Sequence, residues 1–324
     1  MNGSLREWAA ERGYRVGWGE VSLLEEIRPE IDTRFAAGEL DQQVFERYLG
    51  KFRYLEDVAW PRVRTVGVVA VPRPAHLVTF RLEKGSLEAL VPPTYVRYVE
   101  TGARVRDELA SAISGTGWGV APLYAPLKLL AARLGLATYG RNNITYVEGL
   151  GSYHQLVGFA SDGDFGPQPG LEAPGCDATE AALLPRCRNC SACRQACPTG
   201  AIGKDRFLLH AQRCLTLWTE GQDPWPDWLS PSVHHCLVGC LACQKACPEN
   251  AGRLRLEPVA EGFTAEESAA ILAHGEARVE DAWAGIPAKL ASIGLSGYDS
   301  EIGRNLRALV ANRQGSRSRG SGPG

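Results

Sequence analysis

The sequence predicts an α/β domain, then a compact cysteine-rich module, then a small all-α C-terminal segment. Three observations carry that prediction. Thr65-Val66-Gly67-Val68-Val69-Ala70-Val71 is a near-continuous β-branched run stopped by Pro72, the pattern of a strand buried on both faces of a sheet covered by helices. Nine of the ten cysteines fall between Cys187 and Cys247, and the first 175 residues have none. Beyond them, residues 264–313 read as short helices, with helical spacing of Ile302, Leu306, Leu309 and Val310.

Taken in order, Ser4-Leu5-Arg6-Glu7 reads as a capping box opening a short helix that ends near Gly13. A polar stretch over residues 40–60 reads as helical and leads to the 65–72 strand. Val105 to Ile113 reads as a helix, and the glycines of 115–119 break it. That Gly115-x-Gly117-x-Gly119 run is a turn and not a dinucleotide loop, because the third glycine has the wrong offset and no strand leads into it. Pro126 suits the first turn of a helix running through Leu134 and stopping at Gly135. Asn143–Val147 and Gln155–Ala160 read as strands, and the Gly-, Pro- and Asp-rich 162–174 as a linker. The expected boundaries are 1–175 for the α/β domain, 176–250 for the cysteine module and 251–313 for the helical segment. A low-complexity disordered tail occupies 314–324.

At 324 residues the chain needs no disulfide staples to fold, since a domain set of this length buries about 75% of its unfolded surface. A disulfide framework would also spread cysteines through the fold, whereas clustering points to metal. The formal charge of −2 and the pI near 6.3 predict no strong global attraction to nucleic acid. The N-terminus has no apolar core and no twin arginine, and no run of 18 apolar residues occurs. The expectation is a cytoplasmic protein with no membrane partner, whose thiols stay reduced and free to bind metal.

The cysteines form Cys187-x2-Cys190-x2-Cys193-x3-Cys197-Pro198 and Cys240-x2-Cys243-x3-Cys247-Pro248. In the bacterial ferredoxin run, closely spaced turns supply three thiolates to one cubane cluster and the fourth cysteine ligates the other cluster. The module therefore reads as bacterial-ferredoxin-like, with two [4Fe–4S] clusters. Cluster one takes Cys187, Cys190, Cys193 and Cys247. Cluster two takes Cys197, Cys240 and Cys243 plus one more, for which Cys214 and Cys236 compete; spacing alone does not decide between them. A zinc ribbon would use the C-x2-C pairs but leaves Cys193, Cys197, Cys247 and both Cys-Pro steps unexplained. Eight ligands leave two spare thiols, and Cys176 in the linker is one.

The order Leu134-Gly135-Leu136-Ala137-Thr138-Tyr139-Gly140-Arg141-Asn142, then Gly151-Ser152, then two ferredoxin motifs with Cys214 between them resembles the epoxyqueuosine reductases. The resemblance covers roughly residues 60–312. These enzymes and the related reductive dehalogenases bind cobalamin on an α/β domain and feed it electrons from two [4Fe–4S] clusters. The resemblance thus implies a cobalamin-binding-type α/β domain and makes Cys214 the eighth ligand, with Cys236 spare. It also implies that Gly140, Arg141, Asn142, Gly151 and Ser152 line the corrin, where glycines allow close backbone approach and Arg and Asn meet amide side chains.

In one respect the chain departs from that family, whose members carry a proton-donating aspartate about fourteen residues before the Gly-Leu turn. Ala121 stands in that register, and a methyl group donates no proton, so Tyr124 or Lys128 becomes the candidate catalytic residue. The dehalogenase relatives use a tyrosine. The implied activity is a cobalamin-dependent reductase served by a ferredoxin or flavodoxin-type donor, acting on a small molecule or a modified tRNA. The alternative is an iron–sulfur electron-transfer or corrinoid-activating protein that serves a partner and has no substrate of its own.

Other residues have simpler readings. His154 reads as a satisfied half-buried histidine or a cofactor contact, and His234-His235 as surface residues or neighbours of the cluster ligands in preference to a metal site of their own. Trp218, Trp225 and Trp228 read as a wall between the clusters and water. Lys128 and Arg133 read by default as a solvated helix face, and Arg304, Arg307 and Arg313 as dipole partners of a terminal helix or as RNA contacts.

Overall fold

The computed structural model describes residues 2–56, 62–168, 183–204, 206–274 and 283–319. In chain order, α1 (Asn2–Glu11), β1 (Arg15–Glu20), α2 (Leu23–Ala36) and α3 (Gln42–Arg47) precede β2 (Thr65–Pro72). The hairpin β3 (Ala75–Leu82) and β4 (Gly85–Val91) leads to α4 (Tyr98–Ala112), then β5 (Ala121–Pro122) and α5 (Leu127–Arg133). Short β6 (Thr138–Tyr139) and β7 (Thr145–Tyr146) come before β8 (His154–Ser161). The cysteine module contributes α6 (Ala192–Ala196), α7 (Leu215–Glu220) and α8 (Ala242–Lys245). It is followed by β9 (Leu256–Pro258), α9 (Ala265–Ala273), α10 (Ile286–Ser292) and α11 (Asp299–Arg319).

The main sheet has the order β1-β2-β8-β5, with every pairing antiparallel. Strand β2 is buried on both faces. Val66, Val68 and Ala70 pack with Ile27 and Ile31 of α2 and with Leu129 and Leu130 of α5. Val69 and Val71 pack on the opposite side with Trp8 of α1 and with Val105 and Leu109 of α4. Gly67 has no room for a side chain, since a Cβ there would stand 2.3 Å from the Phe159 ring.

The structure revises several expectations. The 40–60 stretch is helical only over Gln42–Arg47 and a short turn at Leu49–Lys51. The helix expected from Val105 begins at Tyr98. Strands β1, β3 and β4 were not expected at all. Most consequentially, residues 251–313 are not a separate all-α segment. Strand β9 pairs parallel with β3, and the Arg81 amide donates to the Phe263 carbonyl at 2.9 Å. Val78, Phe80 and Val91 of the hairpin share one core with Leu237, Val238, Ile271, Leu290, Ile302 and Leu306. Helix α11 also runs through Arg319, past residue 313, so the segment expected to be disordered is helical over most of its length. Cys176 and most of the expected linker lie outside the described residues. No helix among the described residues is long and apolar enough to cross a membrane.

Helix α11 is bolted to the cysteine module by its polar side chains. Asn305, fully buried, donates to the carbonyls of Thr219 at 2.8 Å and Leu237 at 2.9 Å. Arg304 donates to the carbonyls of Trp218, Gly221 and Asp223. Arg307 reaches the carbonyls of Leu272 and His274 that end α9, and Arg313 that of Ser86. These arginines satisfy backbone acceptors elsewhere in the fold. Replacing Asn305 by Leu leaves two buried carbonyls unpaired, which costs about 2–4 kcal/mol. Chemical denaturation of the Asn305→Leu variant is expected to show that loss.

Candidate functional site

The cysteine motifs fold into tight turns that bring thiols together. Cys197 and Cys247 each adopt extended backbone at the end of a short helix or turn, as a residue before proline must, and so leave the local turn. Cys187, Cys190, Cys193 and Cys247 line one small cavity. Cys214 lies close enough to Cys197, Cys240 and Cys243 for charge on one to oppose charge on another. The thiols thus fall into two groups of four. Cys236 also neighbours Cys240, but it is fully buried with Ala75, Tyr153 and Leu241 in an apolar cluster.

Burial pushes the thiols of Cys193 up to about 11 and of Cys240 up to about 12, with mutual repulsion adding to the effect. Cys187, Cys214 and Cys243 shift the same way for the same first reason. Gathered thiols therefore hold their protons unless a strong positive charge replaces them, which is what iron supplies. Among the described residues no three His, Cys, Asp or Glu side chains converge on a single ion position. Four thiols spaced around a cavity suit the corners of a cubane better than one zinc ion, whose sulfur ligands sit at about 2.3 Å.

The Gly140-Arg141-Asn142 turn faces the first thiol group. The Arg141 amide donates to Cys187 Sγ at 3.4 Å, and the Arg141 guanidinium donates to the Cys187 carbonyl at 3.0 Å. A Cβ on Gly140 would meet the Tyr146 ring at 2.5 Å and Asn142 Oδ1 at 2.7 Å. Gly151, with φ +63, presses against Asn250 and Arg253 just after the second cysteine motif. Ser152 accepts from Asn250 Nδ2 at 2.7 Å and donates to Gln244 Oε1 at 2.9 Å. Of the five residues expected to line the corrin, Gly140, Arg141, Asn142 and Gly151 thus lie at the junction with the cysteine module. Ser152 alone also reaches the main cleft.

That cleft, about 500 Å³, is lined by aliphatic side chains of α2, α5 and the 139–156 region, with Lys128, Tyr139, Ser152, His154, Gln155 and Gln244 among its polar groups. Lys128 donates to the Asn143 carbonyl at 3.1 Å. It keeps access to solvent through the mouth of the cleft, yet the surrounding protein lowers its ammonium pKa, opposed by nearby Cys214. Lys128 is exposed, as expected of a solvated helix face, and that face also forms a wall of the cleft; Arg133 is instead tied up by Glu26 and Glu30. Tyr124 is half exposed and does not line the cleft. Glu30, a carboxylate on the cleft wall, is paired with Arg34 at 3.0 Å and Arg133 at 2.7 Å.

His154 Nδ1 lies 3.1 Å from the Gly151 carbonyl and Nε2 lies 3.3 Å from Thr145 Oγ1. Nδ1 therefore carries the proton and Nε2 accepts. Burial drives this ring down to about 4, so it is neutral near pH 7 and satisfied as read from the sequence, though buried and not half-buried. His235 behaves alike: Nδ1 donates to the Val233 carbonyl and Nε2 accepts from the Leu241 amide beside Cys240. Trp218 and Trp225 donate to the carbonyls of Gln212 and Trp218, and Arg304 stacks on Trp225. These tryptophans brace the segment between the cysteine motifs. The sequence did not single out Gln244, Asn250 or Tyr146, although the first two sit within three residues of cluster-motif cysteines.

Residues 186–250 match the family described as a 4Fe-4S double cluster binding domain. The epoxyqueuosine reductase of Pseudomonas aeruginosa is 25% identical over 264 residues, covering 76% of this chain and 68% of that one. The Bacillus subtilis epoxyqueuosine reductase is 30% identical over 126 residues, 39% of this chain and 29% of its own length. The chain is similar to the epoxyqueuosine reductases. A solved epoxyqueuosine reductase, bound to an epoxyqueuosine-modified tRNA-Tyr stem loop, superposes with a TM-score of 0.65 at 19% identity, over 96% of this chain and 80% of that one. The resemblance read from the sequence thus holds, the fold is shared, and the chain carries a 4Fe-4S double cluster domain. The stretch matched to the Bacillus subtilis protein is less than a third of that protein's length.

Gly140→Ala drives a methyl group into the Tyr146–Asn142 contact and is expected to cost about 1–3 kcal/mol. Iron content after anaerobic loading is expected to fall in this variant. It stays unchanged in Gly115→Ala, where an added Cβ meets nothing within 4 Å.

Proposed function

We propose that the protein is an iron–sulfur reductase in which two [4Fe–4S] clusters supply electrons to a cobalamin held in the cleft, for reduction of a substrate at its mouth. In this reading Cys187, Cys190, Cys193 and Cys247 ligate the first cluster, and Cys197, Cys214, Cys240 and Cys243 the second. The observation that carries it is the shared wall. Ser152 and Gln244 belong to the cleft and hydrogen-bond to each other, Gln244 follows Cys243 directly, and Lys128 senses Cys214. The second cluster would therefore adjoin the cleft, with the first farther out toward a ferredoxin or flavodoxin-type donor.

The cleft suits a bulky, amide-rimmed cofactor. Its aliphatic walls match an apolar ring, and hydroxyl and amide groups are interspersed on them. Gln155 Oε1 is a buried acceptor with no hydrogen-bond partner among the described residues, which a cofactor amide would satisfy. Bound cobalamin supplies a strongly reducing metal centre; the chain's own residues supply position, dryness and protons. Gly140, Arg141, Asn142 and Gly151 support this site from behind, by holding the cysteine module against the α/β domain.

Lys128 is the proton donor in this proposal, in place of the aspartate whose register Ala121 occupies. Its lowered pKa makes it a stronger acid than a free lysine, and it stands on the cleft wall where Tyr124 does not. Because only the ammonium form donates, turnover is expected to fall as pH rises through that lowered pKa, below the usual lysine range. The substrate class we favour is a modified tRNA, by analogy with the relatives, with an epoxyqueuosine stem loop as the first compound to test. Ala121 also favours the second reading, a corrinoid-activating or electron-transfer protein without its own substrate.

Two comparisons test this. Loaded protein is expected to hold about eight iron atoms per chain, four per cubane. Cys214→Ala is expected to drop to about half of that, while Cys236→Ala keeps the full complement; the opposite pattern would reassign the eighth ligand. Lys128→Met is expected to slow turnover of the tRNA stem loop by about 10²–10⁴-fold with iron content unchanged, and Tyr124→Phe to leave it unaffected. Full turnover by Lys128→Met would reject the proton donor.

A further inference from the structure

A second groove, about 540 Å³, lies on the other side of the loop that walls the cleft. Thr94 and Tyr98 of that loop line the cleft, whereas Val96 and Arg97 line the groove. No cysteine lines it, and the function above gives it no role. Its cationic wall is built from two elements. Arg97, just before α4, and Thr101 and Arg104 within it recur at helical spacing and so share one face. Arg73 stands between β2 and β3, and His76 on β3. Glu257 of β9 and Glu261 just after it supply the groove's carboxylates.

The cations of this groove are mostly not spent on ion pairs within the fold. Arg73 donates through Nη1 to the Thr101 hydroxyl and through Nη2 to the Val96 carbonyl. Both acceptors are neutral, so they fix the guanidinium plane without cancelling its charge. Arg73 Nε and His76 Nδ1 are buried with no hydrogen-bond partner among the described residues. The Arg97 side chain makes no hydrogen bond or ion pair among the described residues, and its stem packs on Gly294. Arg104 alone has an acidic partner, Glu108. Burial, then repulsion by Arg104 and Arg97, lowers the pKa of Arg73 against the pull of Glu257 and Glu100. A half-buried cation held beside like charges, with no carboxylate in ion-pair contact, is stabilised by an added anion.

We propose that this groove binds a small phosphate monoester on a hydroxylated body, a sugar phosphate in class. Guanidinium groups match a phosphate in charge and through paired N–H donors, and Glu257 and Glu261 are placed to accept from the ligand's hydroxyls. The same two carboxylates oppose a polyanion, so a single phosphate suits the groove where a run of RNA backbone does not. The site depends neither on the clusters nor on the corrin.

The test is isothermal titration calorimetry of the full chain, loaded anaerobically with iron and sulfide, against ribose 5-phosphate, inorganic phosphate and ribose. Ribose 5-phosphate is expected to bind once per chain and more tightly than inorganic phosphate, and ribose to give no heat. Arg97→Gln leaves every internal hydrogen bond of the groove in place. It is expected to weaken ribose 5-phosphate about 10- to 100-fold with the thermal unfolding midpoint unchanged. No heat from either phosphate, or unchanged affinity in Arg97→Gln, would overturn the site. Ribose 5-phosphate binding no tighter than inorganic phosphate would overturn the sugar-phosphate class. A tRNA stem loop that binds where ribose 5-phosphate does not, and is weakened by Arg97→Gln, would reassign the groove to an RNA backbone and overturn the small ligand.

Discussion

Packing thiols together is electrostatically unfavourable once they ionise, and the rest of this fold is arranged around that constraint. Each buried thiolate raises the proton affinity of its neighbours, on top of the penalty for burying charge at all. The backbone answers with donors at sulfur: the Arg141 amide at Cys187 and the Ala201 amide at Cys197. Donors alone do not balance four negative charges in each group. The positive charge of iron has to complete the module, so folding of this region is coupled to metal.

The same module is also structural cement. Gly151 and Ser152 dock the α/β domain onto Asn250 and Gln244, while Asn305 and Arg304 tie the C-terminal helix to the segment between the cysteine motifs. Strand β9 and helices α9 to α11 then return to cover the β3–β4 hairpin. Residues far apart in sequence meet on the module from opposite sides. Its proximity to the cleft is therefore a consequence of how the whole chain closes.

What the sequence made legible was what is local. The Cys-x2-Cys-x2-Cys-x3-Cys-Pro spacing encodes its own turns, and the 65–72 run encodes burial on both faces. The choice between Cys214 and Cys236 was closed to spacing because a fourth ligand comes from tertiary structure. Cys236 is the nearer in sequence but points into Ala75, Tyr153 and Leu241. The Gly-Arg-Asn turn stood out as a motif, yet its contacts are with Cys187 and Tyr146, and a motif does not state which side of it faces a cofactor. Lys128 is exposed as its helix face implied, but helical periodicity does not show that this face also walls a cleft. The core joining Phe80 to Ile302 was invisible for a different reason: it links segments more than two hundred residues apart, each reading plausibly by itself. Strand β1 was missed because Gly17 and Gly19 dilute its pattern, although they pack tightly against Leu134.

The central claim is that this chain holds a corrin beside its clusters. The direct measurement is EPR of protein loaded with iron and sulfide, incubated anaerobically with cob(II)alamin and desalted. One retained cob(II)alamin per chain is expected, together with cluster signals on reduction. Cluster signals with no retained cobalt would contradict it and leave an iron–sulfur protein that serves a partner.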